Sequence, residues 1–273
     1  LIDGLSKPKK FFEALERHGV TGFGVVPAGW EYLRRISKDK IKDYKDQIKY
    51  VEFGSSPMSV NSKLDVITCL PNTHICMHYG STEASRSCFL DFKKDIQYID
   101  SVGKPSNLVN IVALDNKSDI VNTNESGEIA VEGKMVSLGY INYKTRTYTN
   151  YPSFHRMGDI GYINDEGFLY LLGRSSDIIN IGGKKVAPEE VENCLKNIDE
   201  IIDCACVGID DNISGESLKA FLVVKKNHKL NYPSVKKILL GKLEPFKIPT
   251  SFEIVDKIPY SKSGKIKRNV LKN

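Results

Sequence analysis

An α/β fold is predicted by three features of the sequence. Apolar runs of strand length alternate with helical patterns over the first hundred residues, which argues for a parallel sheet layer. From about residue 100 the texture changes to short strands separated by Gly and Asn turns, and after Gly173 it changes again to a mixed α+β pattern. The chain has 273 residues, 41% apolar and 27% charged, enough to bury a sizeable core and too apolar for a disordered chain.

Taken in order, Pro8 to Glu16 reads as a helix, with Pro near the first turn, Phe11, Phe12 and Leu15 on one face and Gly19 as the stop. Val20 to Val26 reads as a buried strand ending at Pro27, with Val25, Val26, Pro27 and Trp30 assigned to the core. A helix across Gly29–Ile36, a strand near Ile48–Phe53, a helix over Val60–Leu70 and a short strand at Thr73–Tyr79 follow. Val109–Leu114, Glu128–Glu132, Gly161–Asn164 and Phe168–Leu172 are the strands of a small β-rich subdomain. Pro188 opens a helix with Glu189 and Glu190 in its first turn, as the helix dipole prefers, and with Val191, Cys194 and Leu195 on one face. Strands at Ile201–Ile209, Leu218–Lys225 and Phe252–Val255 and a helix at Pro233–Leu243 complete an α+β unit, its boundary placed at Gly173–Asp177.

No run approaches the ~20 apolar residues that cross a bilayer, so no transmembrane segment is expected. The six cysteines include no C-x-x-C pair; they read as buried free thiols and imply a reducing, cytoplasmic compartment. The net charge of +5 is uneven, with 14 Lys+Arg against 3 Asp+Glu in residues 217–273. Such a basic segment suits a polyphosphorylated small molecule, an anionic surface or plain solvent; without interleaved aromatics it is not a nucleic-acid-binding pattern.

Four segments read as ligand-binding loops. Gly54-Ser55-Ser56-Pro57 lies between a strand and a helix, where backbone N–H groups approach a planar or anionic ligand, although a plain turn fits equally. Tyr79-Gly80-Ser81-Thr82-Glu83 packs an aromatic face, a flexible Gly, hydroxyls and a carboxylate into five residues: it can hold a base, bond a phosphate and offer oxygen to Mg²⁺, or else be a polar turn with Ser81 or Thr82 as a cap. Gly158-Asp159 lies in an interrupted polar segment, where Asp accepts ribose hydroxyls or simply makes a turn. Ser261-Lys262-Ser263-Gly264-Lys265-Ile266 is a Gly–Lys tip that can carry positive charge to an oxyanion, or a basic tail.

In this order the segments resemble the adenylate-forming enzymes, the superfamily of acyl-CoA synthetases, luciferases and peptide-synthetase adenylation domains. Tyr79–Glu83 is similar to the family's Y-G-x-T-E, and Gly127-Glu128-Ile129 with Gly139-Tyr140 to its G-E-I…G-Y. Gly158-Asp159, Gly167 and Gly173-Arg174 resemble G-D…D-G…G-R; Gly183–Glu192 and Pro259–Arg268 resemble G-x-x-[IV]-x-P-x-E-[IV]-E and P-x-x-x-x-G-K-I-x-R. The resemblance implies activation of a small carboxylic acid by ATP to an acyl-adenylate, then transfer to CoA, with ATP/AMP, Mg²⁺ and CoA as ligands. A carrier-protein phosphopantetheine is the alternative acceptor, and a non-catalytic nucleotide-binding module the alternative of another class. By the same resemblance Gly54, Ser55, Ser56, Pro57, Tyr79, Gly80 and Ser81 border the nucleotide, Thr82 bonds the α-phosphate and Glu83 binds Mg²⁺. Asp159 holds the ribose, Arg174 bonds ribose or phosphate, Lys265 bridges the carboxylate and α-phosphate, and Gly183 borders the thiol's approach; Lys185, where the family often has Arg or Gln, is counted among the cofactor-binding residues.

The implied organisation is a partial N-terminal core over residues 1–173 (α/β layer to about 100, β-rich subdomain 101–173), a hinge at 174–177 and a mobile C-terminal domain over 178–273. Ser176 stands where the family usually has a hinge Asp or Lys, with Asp177 next. The family's Ser/Thr/Gly-rich loop for the β- and γ-phosphates is absent from the chain, which opens at Leu1. The chain is therefore expected to be a portion of a longer enzyme, inactive or very weak on its own.

Overall fold

The structure, a computed structural model, describes residues 7–150, 154–225, 230–261 and 266–272. It divides into two compact units, one of residues 1–157 with 161–171 and the other of residues 158–160 with 172–273.

The first unit begins with α1 (Pro8–His18), β1 (Gly22–Val25), α2 (Pro27–Ser37), β2 (Tyr50–Phe53), α3 (Val60–Cys69), β3 (His74–Tyr79), β4 (Cys88–Asp91) and β5 (Lys104–Pro105). The five strands form one sheet in sequence order, parallel from β1 to β3 and antiparallel from β3 to β5. Helix α1 ends where Gly19 turns left-handed at φ 58°, and α3 begins where Ser59 Oγ accepts the amide of Ser62 at 3.2 Å. The period of two sorts the faces of β2 and β3. Val51, Phe53, Ile75 and Met77 enter a core with Leu15, Trp30, Leu33 and Val66, whereas Tyr50, Glu52, His74, Cys76 and His78 alternate to the other face.

Two details of this layer correct the sequence reading. Val26 is 47% exposed rather than core, and the strand expected over Val20–Val26 is limited to β1, whose residues alternate between exposed and half-buried. Val26 falls outside β1, as the extended residue before α2. Helix α2 starts at Pro27 rather than Gly29, because Pro has the fixed φ and missing N–H that suit a first helical position.

β6 (Val109–Leu114), β7 (Gly127–Gly133), β8 (Gly139–Asn142), β9 (Thr147–Asn150), β10 (His155–Ile163) and β11 (Leu169–Arg174) follow. A four-stranded sheet runs β11-β10-β7-β6, and β8 pairs with β9 as a separate hairpin. Ile111, Ala113, Ile129, Val131, Met157 and Leu169 form its core together with Ala84 and Cys88 of the preceding layer.

The second unit contains β12 (Ile179–Ile181), β13 (Lys184–Val186), α4 (Pro188–Lys196), β14 (Ile201–Asp211), β15 (Gly215–Val224), α5 (Tyr232–Leu240), β16 (Ser251–Ile254) and α6 (Arg268–Leu271). Its sheet runs β13-β12-β15-β14, with β16 added parallel to β15. Val191 and Leu195 of α4 pack on Cys204, Cys206, Leu218, Ala220 and Leu222. All six cysteines are free thiols, five of them buried. No helix among the described residues is long and apolar enough to cross a membrane.

Candidate active site

The loops that leave β2 and β3 lie side by side at the carboxyl ends of parallel strands, where open α/β sheets bind ligands. A Cβ on Gly54 would fall 2.2 Å from the His78 ring, so only glycine lets that imidazole lie against the backbone here. Ser55 follows with φ 71°, turning the chain through Ser56 and Pro57 towards α3.

After Tyr79 the chain makes a tight turn. The amide of Ser81 donates to the carbonyl of Ala84 at 3.1 Å, and Ser81 Oγ accepts the amide of Ala84 at 3.1 Å. Ser81 thus caps a turn, not a helix. A Cβ on Gly80 would meet Ala84 O at 2.5 Å and the Arg86 amide nitrogen at 2.7 Å, so glycine permits this close return. Thr82 is left exposed and Glu83 half-buried.

Glu83 is held on three sides. Tyr140 OH donates to Oε1 at 2.7 Å, His155 Nε2 lies 3.9 Å from Oε2, and the amide of Ser137 donates to the Glu83 carbonyl at 2.6 Å. The Tyr140 hydrogen bond holds the carboxyl below its ordinary range. No cluster of three or more His, Cys, Asp or Glu among the described residues can cage a metal. One oriented carboxylate is nevertheless the donor set that Mg²⁺ uses when phosphates and water complete its shell, so Glu83 fits the ion. Sequence reasoning singled out Glu83 but missed both supports; Tyr140 entered only as part of the Gly139-Tyr140 match, and nothing local marks His155.

Asp159 corrects the expectation of an interrupted polar segment. It lies inside β10, only 6% exposed, and Arg174 Nε is 2.9 Å from its Oδ1. A buried carboxylate needs a partner, and β11 supplies one from a strand neighbouring β10 in the sheet. The two residues assigned to the ribose thus meet each other, with Ser175 Oγ donating to the Gly158 carbonyl at 3.2 Å beside them.

Gly182 and Gly183 form the two-residue tip of the β12–β13 hairpin, with φ 57° and 83°, and Lys185 is exposed on β13. Lys265 lies outside the described residues. Arg268 closes that last motif and donates to Asp177 Oδ2 at 3.1 Å, Glu189 Oε1 at 2.8 Å and the Cys206 carbonyl at 2.9 Å, and it also pairs with buried Glu192. The structure therefore brings Gly54–Pro57 together with Tyr79–Glu83 in the first unit. It brings Asp159 together with Arg174, and Gly183 with Lys185, in the second.

Comparison with known proteins gives the family. The sequence profile of the AMP-binding enzyme family matches residues 2–141, and that of the AMP-binding enzyme C-terminal domain matches residues 190–265. The chain belongs to the AMP-binding, adenylate-forming enzymes.

An oxalate–CoA ligase of Saccharomyces cerevisiae is 35% identical over 268 residues, 97% of this chain and 48% of the yeast protein. A long-chain-fatty-acid–CoA ligase of Bacillus subtilis is 29% identical over 97% of this chain and 47% of its own. The o-succinylbenzoate-CoA synthetase of Bacillus subtilis, solved with its acyl-adenylate intermediate, superposes with a TM-score of 0.81 at 26% identity, over 98% of this chain and 54% of the other. An amide bond synthetase of Marinactinospora thermotolerans shares the fold, with a TM-score of 0.85 at 22% identity over 97% and 55%. The chain spans about half the length of the curated relatives it matches.

Proposed function

We propose that this chain serves an ATP-dependent, AMP-forming acid–CoA ligase. The observation that carries the reading is the Tyr79–Glu83 turn at the strand ends, with the Glu83 carboxylate oriented by the Tyr140 hydrogen bond, in a chain whose relatives are named as CoA ligases for oxalate and for long-chain fatty acids. In this reading a carboxylate oxygen attacks the α-phosphorus of ATP, pyrophosphate leaves, and the thiol of CoA then displaces AMP from the acyl carbon. Both attacking and attacked groups are anionic in the first step, so the developing charge must be offset. Thr82, exposed on the turn, donates to the α-phosphate; Lys265 places its ammonium between that phosphate and the acid; Asp159, fixed by Arg174, accepts the ribose hydroxyls. Gly54–Pro57 and Tyr79 take the adenine. Mg²⁺, when bound at Glu83, supplies Lewis-acid charge to the phosphates. Gly183, at a hairpin tip without a side chain, keeps the thiol's approach open.

Carboxylate-dependent ATP–pyrophosphate exchange tests the reading, measured on the polypeptide of the complete reading frame with a panel of fatty, aryl, amino and dicarboxylic acids. Exchange with one acid class, reduced about a hundredfold or more by Lys265→Ala, is the expected result. Tight binding of an acyl-adenylate analogue with no exchange for any acid would favour a non-catalytic module.

A further inference from the structure

One polar cluster on the first sheet has no part in the nucleotide chemistry above. Glu52 lies two residues before Gly54, and its side chain is 15% exposed. Its Oε1 accepts Arg86 Nε at 2.9 Å and lies 2.8 Å from His78 Nδ1; its Oε2 accepts Tyr50 OH at 3.2 Å. Burial opposes the charge on Glu52, but the Arg86 hydrogen bond and the nearby positive charge outweigh it, and the carboxyl stays below its ordinary range. Three neighbours already engage this carboxylate, and its charge is matched by Arg86. The group that faces outwards is the guanidinium.

Arg86 is anchored at one end only. Nε is bound to Glu52, and neither Nη nitrogen has a hydrogen-bond partner among the described residues, while the side chain is 50% exposed. The anchor fixes the plane of the guanidinium and leaves its fork open, the arrangement that recognises a carboxylate bidentately. The location is equally constrained. The turn permitted by Gly80 brings the Arg86 amide back against Gly80, four residues past Thr82, and the backbone of Arg86 takes a left-handed φ of 53° to do so.

We propose that Arg86, oriented by Glu52, binds the second carboxylate of a dicarboxylic acid whose first carboxylate is the one activated. The proposal rests on the adenylation reading. It makes Arg86 the specificity-determining contact and Glu52 a positioning residue that acts through it, with His78 packed over Gly54 as the wall behind both.

The test pairs each diacid with the monoacid of the same chain length, malonate with propionate and succinate with butyrate. In pyrophosphate exchange by the complete polypeptide, a diacid is expected to exceed its monoacid by about tenfold to a hundredfold in kcat/KM, the range for hydrogen bonds to a charged group. Arg86→Met is expected to lower that parameter at least tenfold more for the diacid than for the monoacid. Glu52→Gln is expected to raise KM for the diacid with little change in kcat, a split that general loosening of the fold would not give. A preference for monoacids, or an Arg86→Met effect equal on both acids, overturns the proposal and leaves adenylation standing. If no acid supports exchange, the adenylation reading fails, and saturation-transfer NMR of the same acids decides this proposal separately. Diacid binding lost in Arg86→Met sustains the carboxylate contact at Arg86 without the activation step; absence of diacid binding overturns that contact as well.

Discussion

Arg268 Nε donates to Asp177 Oδ2 at 3.1 Å across 91 residues of sequence. The same guanidinium, 11% exposed, is shared with Glu189 and Glu192, so one cation pairs with three carboxylates, two of them on α4. Burial disfavours its charge, but the hydrogen bonds it donates to Glu192 and Glu189 outweigh this and hold Arg268 protonated at any working pH.

Arg268→Met is therefore expected to destabilise the second unit by about 3–5 kcal/mol, the usual cost of leaving buried charge uncompensated. Denaturant unfolding monitored in that unit checks it. Arg268→Met together with Glu192→Gln is expected to recover part of the loss, since Glu192 has only 4% side-chain exposure and is the member least able to find water.

Lys63 is 2% exposed and donates to the carbonyls of Ile99 at 2.7 Å and Ser101 at 2.9 Å, with no carboxylate of the described residues in contact. Burial lowers its pKa from 10.5 to about 8. Between those values the unfolded chain binds a proton that the folded chain does not, so this residue's contribution to stability rises with pH across that window. Relative to Lys63→Met, the protein is expected to gain on the order of 3 kcal/mol between pH 8 and 10.5, and paired urea titrations at the two pH values read it.

Thiol reactivity should separate the cysteines. Burial pushes the Cys204 thiol up to about 12, and raises Cys76, Cys88 and Cys206 as well. Cys194 is only partly buried, and alkylation followed by peptide mass spectrometry is expected to find it modified first in the native protein, with the others reacting after denaturation.

Asp159→Asn tests the ribose assignment. The substitution keeps the shape but removes the charge facing Arg174, which is 46% exposed and can turn to water, so the stability cost should stay below about 1 kcal/mol. AMP binding by the complete polypeptide is expected to weaken by about tenfold or more, the loss of a charge-assisted bond to the ribose.

What the sequence made legible follows from how local each signal is. Helices α1 and α4 could be placed because Pro8, Gly19 and Pro188 mark their ends and apolar residues repeat at helical spacing between them. The β8–β9 hairpin was missed because Tyr140, Ile141 and Tyr148 are all at least half exposed, so no alternation of burial exists for a pattern to reveal. Strands β12 and β13 have three residues each, too few for a period. The motif residues of the site were identifiable one by one, but their partnerships were not. Glu52 and Arg86 are 34 residues apart, Glu83 and Tyr140 are 57 apart, and a hydrogen bond at such separation leaves no trace in local composition.

At the β12–β13 tip, a Cβ on Gly183 would have no neighbour within 4 Å, yet its φ of 83° is one that L-residues rarely adopt. Within this chain's own atoms, handedness rather than room constrains the position. A D-alanine introduced there by chemical ligation would sit without strain, whereas L-alanine would strain the turn while adding the same methyl group. The mirror-image pair thus isolates backbone chirality from bulk: slowing of the proposed CoA transfer by both variants would locate the effect in the methyl group, and slowing by the L-form alone would locate it in the turn.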